Sequence, residues 1–232
     1  MPLYGGINKA AIEASAKQCM SDFDALFNSI DYVYEMAVIG GEPFLHTELE
    51  LILEHFSKQE KLGSFTVVTN GTIVPDDKLI PALKHPKCRV FISDYGKHSK
   101  NLSNLASWLN KNEIGYSVKR DYCWYDQGIG EARNRNDREL KRIFVTCRAS
   151  KCQIFLHGKL HQCAISAFAM DLGLIPDNPN DYVDVTIKNA ETTRGKIKDS
   201  RLKTPSITAC DHCDHAFVIP AKRIIPGEQV NV

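Results

Sequence analysis

The sequence lacks any run of about 18 uncharged apolar residues, the length a membrane span needs, and its opening MPLYGGINKA lacks a basic stretch followed by an apolar one. A span and a secretory leader are therefore both unsupported, and a cytoplasmic chain is the expectation. An excess of charge of either sign is lacking too. Lys and Arg number 29 against 28 Asp and Glu in 232 residues, a net charge of +1, which gives no electrostatic reason to expect nucleic acid or an anionic membrane as partner. In a cytoplasmic chain the sequons Asn70-Gly71-Thr72 and Asn101-Leu102-Ser103 carry no weight as glycosylation sites.

What the chain does have is cysteine, eight in all. A reducing compartment argues against a disulfide framework, so each cysteine is either a buried apolar residue or a ligand. Cys19, Cys88 and Cys123 lie far apart, whereas Cys147, Cys152, Cys163, Cys210 and Cys213 crowd together. The stretch CQIFLHGKLHQC, residues 152–163, reads as a hairpin turning at His157-Gly158. Its paired residues then have numbers summing to 315, which sets Cys152 opposite Cys163 with Cβ atoms on the order of 5 Å apart. Cys210-Asp211-His212-Cys213 supplies a CxxC, and two plus two makes four thiolates, with Cys147 a fifth candidate. On softness grounds four thiolates suit an iron–sulfur cluster or a structural zinc equally well. His161 and His212 keep a mixed Cys/His zinc site open.

Along the chain, residues 8–29 read as a helix with Asn8 as a possible cap. The run MAVIGGE then reads as a buried strand ending in a glycine turn, and Thr47-x-x-Glu50 as a capping box for the next helix. Strand and helix alternate twice more, through FTVVTNG and PDDKLIPALKH, then CRVFISDYG and SKNLSNLASWLNKN, before a last strand YSVKRDY. This order predicts a parallel sheet with helices outside, Rossmann-like or a partial barrel, with ligands at the carboxyl ends of the strands. Those ends are Gly40-Gly41-Glu42, Thr69-Asn70-Gly71 and Ser93-Asp94-Tyr95-Gly96. The segment WYDQGIGEARNRNDRELKRIF reads as a solvated linker and helix, and its GIGEAR fragment is no dinucleotide fingerprint because position 133 is Arg.

The combination of IGGEPFLH, VVTNGT and ISDYGKHS resembles the radical S-adenosylmethionine superfamily, and the tail, with Gly158-x4-Cys163 and Cys210-x2-Cys213, looks like its twitch or SPASM auxiliary-cluster extension. The resemblance implies an α/β fold: a partial (β/α)6 TIM-like barrel lacking its first strand (residues 1–128), a linker and helix (129–146), and a small cysteine-rich domain containing a β-hairpin (147–232). It implies that Gly40, Gly41 and Glu42 contact S-adenosylmethionine, with Asn70 and Ser93 as further cofactor or substrate contacts. It also implies an auxiliary [4Fe-4S] cluster on four of Cys147, Cys152, Cys163, Cys210 and Cys213, with zinc as the alternative. A small molecule or peptide would be the substrate and a reductant protein a partner. The C-x3-C-x2-C motif that the family's radical chemistry requires is not in these residues. Because MPLYGG resembles the sequence just after that motif, the chain reads as truncated, either as a shortened gene product or as a natural remnant. It is then expected to be non-catalytic alone, to serve otherwise as a metal-binding module, and to associate through an uncovered sheet edge.

Overall fold

A computed structural model describes residues 15–187, 189–214 and 223–224. Helix α1 spans Ala16–Asn28, so the expected start near Asn8 lies outside the described residues. Its amino end is held by two acceptors: Ser15 Oγ takes the Gln18 N–H at 3.2 Å, and Glu48 Oε2 takes the Ala16 N–H at 3.0 Å. Strand β1 (Val33–Val38), helix α2 (Leu49–Lys58), strand β2 (Leu62–Thr69), the short helix α3 (Ile80–Leu83), strand β3 (Cys88–Ser93), helix α4 (Leu102–Lys111) and strand β4 (Tyr116–Lys119) follow in the expected order. Helix α2 does not take Thr47 as its cap residue. The residue before α2 is Glu48, with no side-chain cap, and Glu50 turns instead towards Lys78 at 3.3 Å.

The four strands pair parallel in the order β1-β2-β3-β4, with Val38 beside Val67 and Val67 beside Val90. Alternation decides which face is dry. Phe65, Val67, Cys88, Val90 and Ile92 are buried and pack with Phe27, Leu53, Phe56, Leu83, Leu105 and Leu109 of the helices. Their strand neighbours Glu35, Ala37, Arg89, Ser117 and Lys119 are exposed, so a single helical layer covers the sheet.

This corrects the expectation of a (β/α)6 barrel. Among the described residues the parallel sheet stays open at four strands, and every later strand pairs antiparallel in a separate sheet. The reason lies just after β4. The next strand, β5, is only Trp124–Tyr125 and pairs with β9 (Arg223–Ile224) instead of extending the sheet, and among the described residues no later strand pairs with the parallel four. Helix α5 (Asp137–Thr146) opens with a complete capping box between Asn136 and Glu139. Strands β6 (Ile154–Leu156) and β7 (Lys159–His161) form a hairpin, then come helix α6 (Ala164–Asp171), strand β8 (Tyr182–Asp184), helix α7 (Ala190–Lys203) and the single turn α8 (Ala209–His212). Sheet β6-β7-β8 is antiparallel throughout. Among the described residues no helix is long and apolar enough to cross a membrane.

Helix α1 joins the two halves. Phe23 meets Phe56 of α2 edge-on at 4.6 Å and Phe155 of β6 at 4.8 Å, while Leu26, 4 % exposed, packs with Leu160, Val183 and Val185 of the antiparallel sheet. Truncating Leu26 leaves a cavity that neither sheet can fill by moving alone. Leu26→Ala is expected to lower stability by ~2–4 kcal/mol, read as a lower urea midpoint at unchanged slope.

Candidate functional site

Two places collect the residues singled out in the sequence. At the carboxyl ends of β1 to β3, Gly40 and Gly41 are exposed, with nothing within 4 Å of where a Cβ would stand. Glu42 is buried beside them at 6 % exposure. Its carboxylate is committed to the protein: Oε1 accepts the Phe44 N–H at 3.1 Å, and Oε2 accepts the Thr69 hydroxyl and the Asn70 N–H, both at 2.8 Å. Burial pushes its pKa above the usual carboxylate range, partly offset by those three bonds. Three of roughly four lone-pair positions are occupied, so Glu42 ties β2 to the turn after β1 whatever else it touches.

Asn70 spends its side-chain oxygen locally, accepting the Thr72 N–H at 2.9 Å. Ser93 is buried, and the hydroxyl of Tyr95, two residues on, receives the Trp124 indole N–H at 2.9 Å. Glu42→Ala would strand the Phe44, Thr69 and Asn70 donors in a buried place, an expected loss of ~2–4 kcal/mol, checked by urea unfolding with no ligand added.

The second place is a small, largely apolar cavity lined by four thiols, Cys147, Cys163, Cys210 and Cys213, together with side chains that include Ile143, Phe144, Ile165 and Ile207. Three separate segments deliver them. Cys147 is the residue that ends α5, and the turn after it is fixed by Ser150, whose hydroxyl is placed between the carbonyls of Phe144 at 2.7 Å and Cys147 at 2.8 Å. Cys163 is the residue before α6, delivered by the hairpin. Cys210 lies within α8 and Cys213 ends it. The amino end of α8 is pinned by Asp181, which accepts the Thr208 N–H at 2.7 Å, and by Asn178, which donates to Thr208 Oγ1 at 2.8 Å.

The hairpin has the register read from the sequence. Ile154 faces His161, Phe155 faces Leu160 and Leu156 faces Lys159. His157 and Gly158 both have positive φ, 49° and 71°, as a two-residue turn of this hand requires. The ladder ends at Ile154 and His161, however, two residues short of each cysteine. Cys152 follows the 3-10 turn Ala149–Lys151 and is exposed, outside the cavity, so Cys147 and not Cys152 stands with Cys163.

Burial sets the chemistry of these thiols. It pushes Cys163 up to about 11 and Cys210 up to about 12, and the neighbouring thiols push in the same direction. Both are therefore protonated at neutral pH, and a metal would have to displace those protons. Cys88, buried on β3 and also raised to about 12 by burial, belongs to the core of the parallel sheet. Among the described residues no three His, Cys, Asp or Glu side chains meet tightly enough around one point to hold a single ion; the four thiols ring a cavity instead. His161, opposite Ile154, is 3 % exposed and held down to about 4 chiefly by burial, and does not line the cavity.

Sequence reading missed the residues that hold the CxxC turn. The polar stretch after β5 wraps α8, with Arg133 and Arg135 donating to its backbone carbonyls. No local pattern announces such contacts, which join residues more than 70 positions apart. Comparison adds no relative, since no family model and no curated protein matches the chain.

Alkylation with iodoacetamide at pH 8 should modify exposed Cys152 well before Cys163 or Cys210, because burial blocks the latter two and keeps them as thiols. Mass spectrometry of the digested protein reads the order, with Cys163 and Cys210 gaining reactivity only as pH rises towards their raised values.

Proposed function

We propose that this chain is an iron–sulfur protein related to the radical S-adenosylmethionine superfamily, and that Cys147, Cys163, Cys210 and Cys213 are the ligands of a [4Fe-4S] cluster. The observation that carries the reading is the gathering of four thiols from three distant segments around one apolar cavity. The donor set fits. Four thiolates are the usual ligands of such a cluster, each on its own iron, whereas a structural zinc needs all four sulfurs at about 2.3 Å from one centre. Such a cluster would supply electron transfer or a coordination point for substrate. The chain's own part is to keep water away with Ile143, Phe144, Ile165 and Ile207, and to give up the thiol protons on loading.

The strand-end residues Gly40, Gly41 and Glu42, with Asn70 and Ser93, are the proposed contacts for S-adenosylmethionine and a small-molecule or peptide substrate, on the strength of the resemblance. Gly40 and Gly41 leave open space beside the backbone, and one lone-pair position of Glu42 remains for an ammonium. Reductive cleavage of the cofactor needs the C-x3-C-x2-C thiolates, which these residues do not include, so these 232 residues alone are proposed not to form the 5′-deoxyadenosyl radical.

Anaerobic reconstitution with iron and sulfide tests the ligand set. Replacing Cys147, Cys163, Cys210 or Cys213 singly by Ala should abolish or sharply lower bound iron and sulfide and the brown absorption, while Cys152→Ala should retain them. Equal loss on Cys152→Ala would reject this ligand set. Colourless protein with one zinc and no sulfide would reject the cluster.

A further inference from the structure

All four consecutive backbone carbonyls of Cys210-Asp211-His212-Cys213 are engaged by one segment, residues 130–135. Arg135 Nη1 donates to the carbonyls of Cys210 at 2.8 Å and Cys213 at 3.0 Å. The Arg133 N–H donates to that of Asp211 at 3.0 Å. The His212 carbonyl takes the Gly130 N–H at 3.2 Å and Arg133 Nη1 at 2.6 Å. The turn answers in kind, since His212 Nδ1 reaches the Gly130 carbonyl at 2.7 Å and the Asp211 carboxylate accepts the N–H groups of Asn134 at 3.2 Å and Arg135 at 2.9 Å. Gly128 closes the clamp: its φ is +58°, and a Cβ there would overlap the Asp214 carboxylate.

The two arginines differ in their charge balance. Arg133 is paired with Asp214, through Nε at 3.0 Å and Nη2 at 2.7 Å. Arg135 is 3.9 Å from the same carboxylate and only 20 % exposed. Its guanidinium therefore stands as the less compensated cation, bonded to the main chain of two proposed ligands. A neighbouring positive charge favours the more reduced, more negative state of a thiolate-bound cluster, and second-shell bonds fix where the thiolates point.

We infer that Arg135 is a positioning residue for the cluster: it orients Cys210 and Cys213 through their carbonyls and its charge raises the reduction potential of the bound centre. This rests on the cluster reading above. The test uses the full chain reconstituted anaerobically with iron and sulfide, comparing wild type, Arg135→Leu and Arg135→Lys. Two quantities are read: iron loss to a chelator and the midpoint potential from a redox titration followed by electron paramagnetic resonance.

Arg135→Leu should lose iron roughly 10–100-fold faster and titrate at a more negative potential. Arg135→Lys keeps the charge but not the forked geometry, so its potential should return towards wild type while its iron loss stays fast. An unchanged potential in folded Arg135→Leu overturns the electrostatic role, and wild-type iron retention in Arg135→Lys overturns the positioning role. Should circular dichroism show Arg135→Leu to be unfolded, Arg135→Lys decides alone, with fast iron loss supporting the inference and wild-type behaviour overturning it. A wild-type chain that takes up no iron and sulfide rejects the cluster reading itself, whereas a loaded wild type with unmoved variants rejects only the role of Arg135.

Discussion

The apolar ridge of α1 has to serve two sheets at once, and the placement of both candidate sites depends on it. Phe23 and Phe27 face the helical layer over the parallel sheet, while Leu26 faces Leu160, Val183 and Val185. A helix used on two sides needs a wide apolar stripe, and α1 has one because Phe23, Leu26 and Phe27 recur at spacings of three and four. The hairpin is thereby set against the first half of the chain. Gly158 at its turn lies close against Thr186, where a Cβ would come within 2.5 Å of the methyl, so only glycine lets the turn pack this closely. Cys163 takes its position from that anchored hairpin.

Much of the first half was readable because its signals are local. Each parallel strand is a short apolar run ended by a polar or glycine turn, and the hairpin register followed from one turn dipeptide, since only a two-residue turn at 157 and 158 lets both adopt positive φ. Closure of the sheet was not readable. Alternation of strands and helices states which elements exist, but whether a fifth strand joins β4 depends on where the chain goes afterwards, and here Trp124–Tyr125 pairs with Arg223–Ile224, far along the chain. The opposition of Cys152 and Cys163 failed for a smaller reason: the 3-10 turn at Ala149–Lys151 ends the ladder and carries Cys152 outwards. The role of Glu42 was half legible. Its place at a strand end was clear, while its three internal donors come from backbone and side-chain groups that meet only in the folded sheet.

The thiol site shows two kinds of support. Cys210 and Cys213 sit on a turn whose carbonyls are all engaged and whose amino end is tied to Asp181 and Asn178. Cys163 is buried at the start of α6, in the same apolar cluster as Ile165 and Met170. These three are held by the fold itself, so a metal centre, if bound as proposed, would meet little ordering entropy at that part of the site. Cys147 differs. It is half-buried at the end of α5, a helix with no fully buried residue, and the side-chain support of its turn comes from the Ser150 hydroxyl.

On the proposed cluster reading, that asymmetry says where adjustment would fall. A centre that binds four thiolates requires them all at bonding distance, and a protein interior resists movement in proportion to the contacts that would be broken. Moving Cys210 or Cys213 breaks the clamp of residues 130–135; moving Cys163 shifts a buried helix and the hairpin behind it. Moving Cys147 disturbs only the last turn of α5, its N–H bond to the Ile143 carbonyl and the bond from Ser150 to its own carbonyl. Of the four thiols that line the cavity, Cys163, Cys210 and Cys213 are buried in packed or clamped turns and Cys147 is half-buried, so on the proposed cluster reading Cys147 would be the ligand that adjusts most.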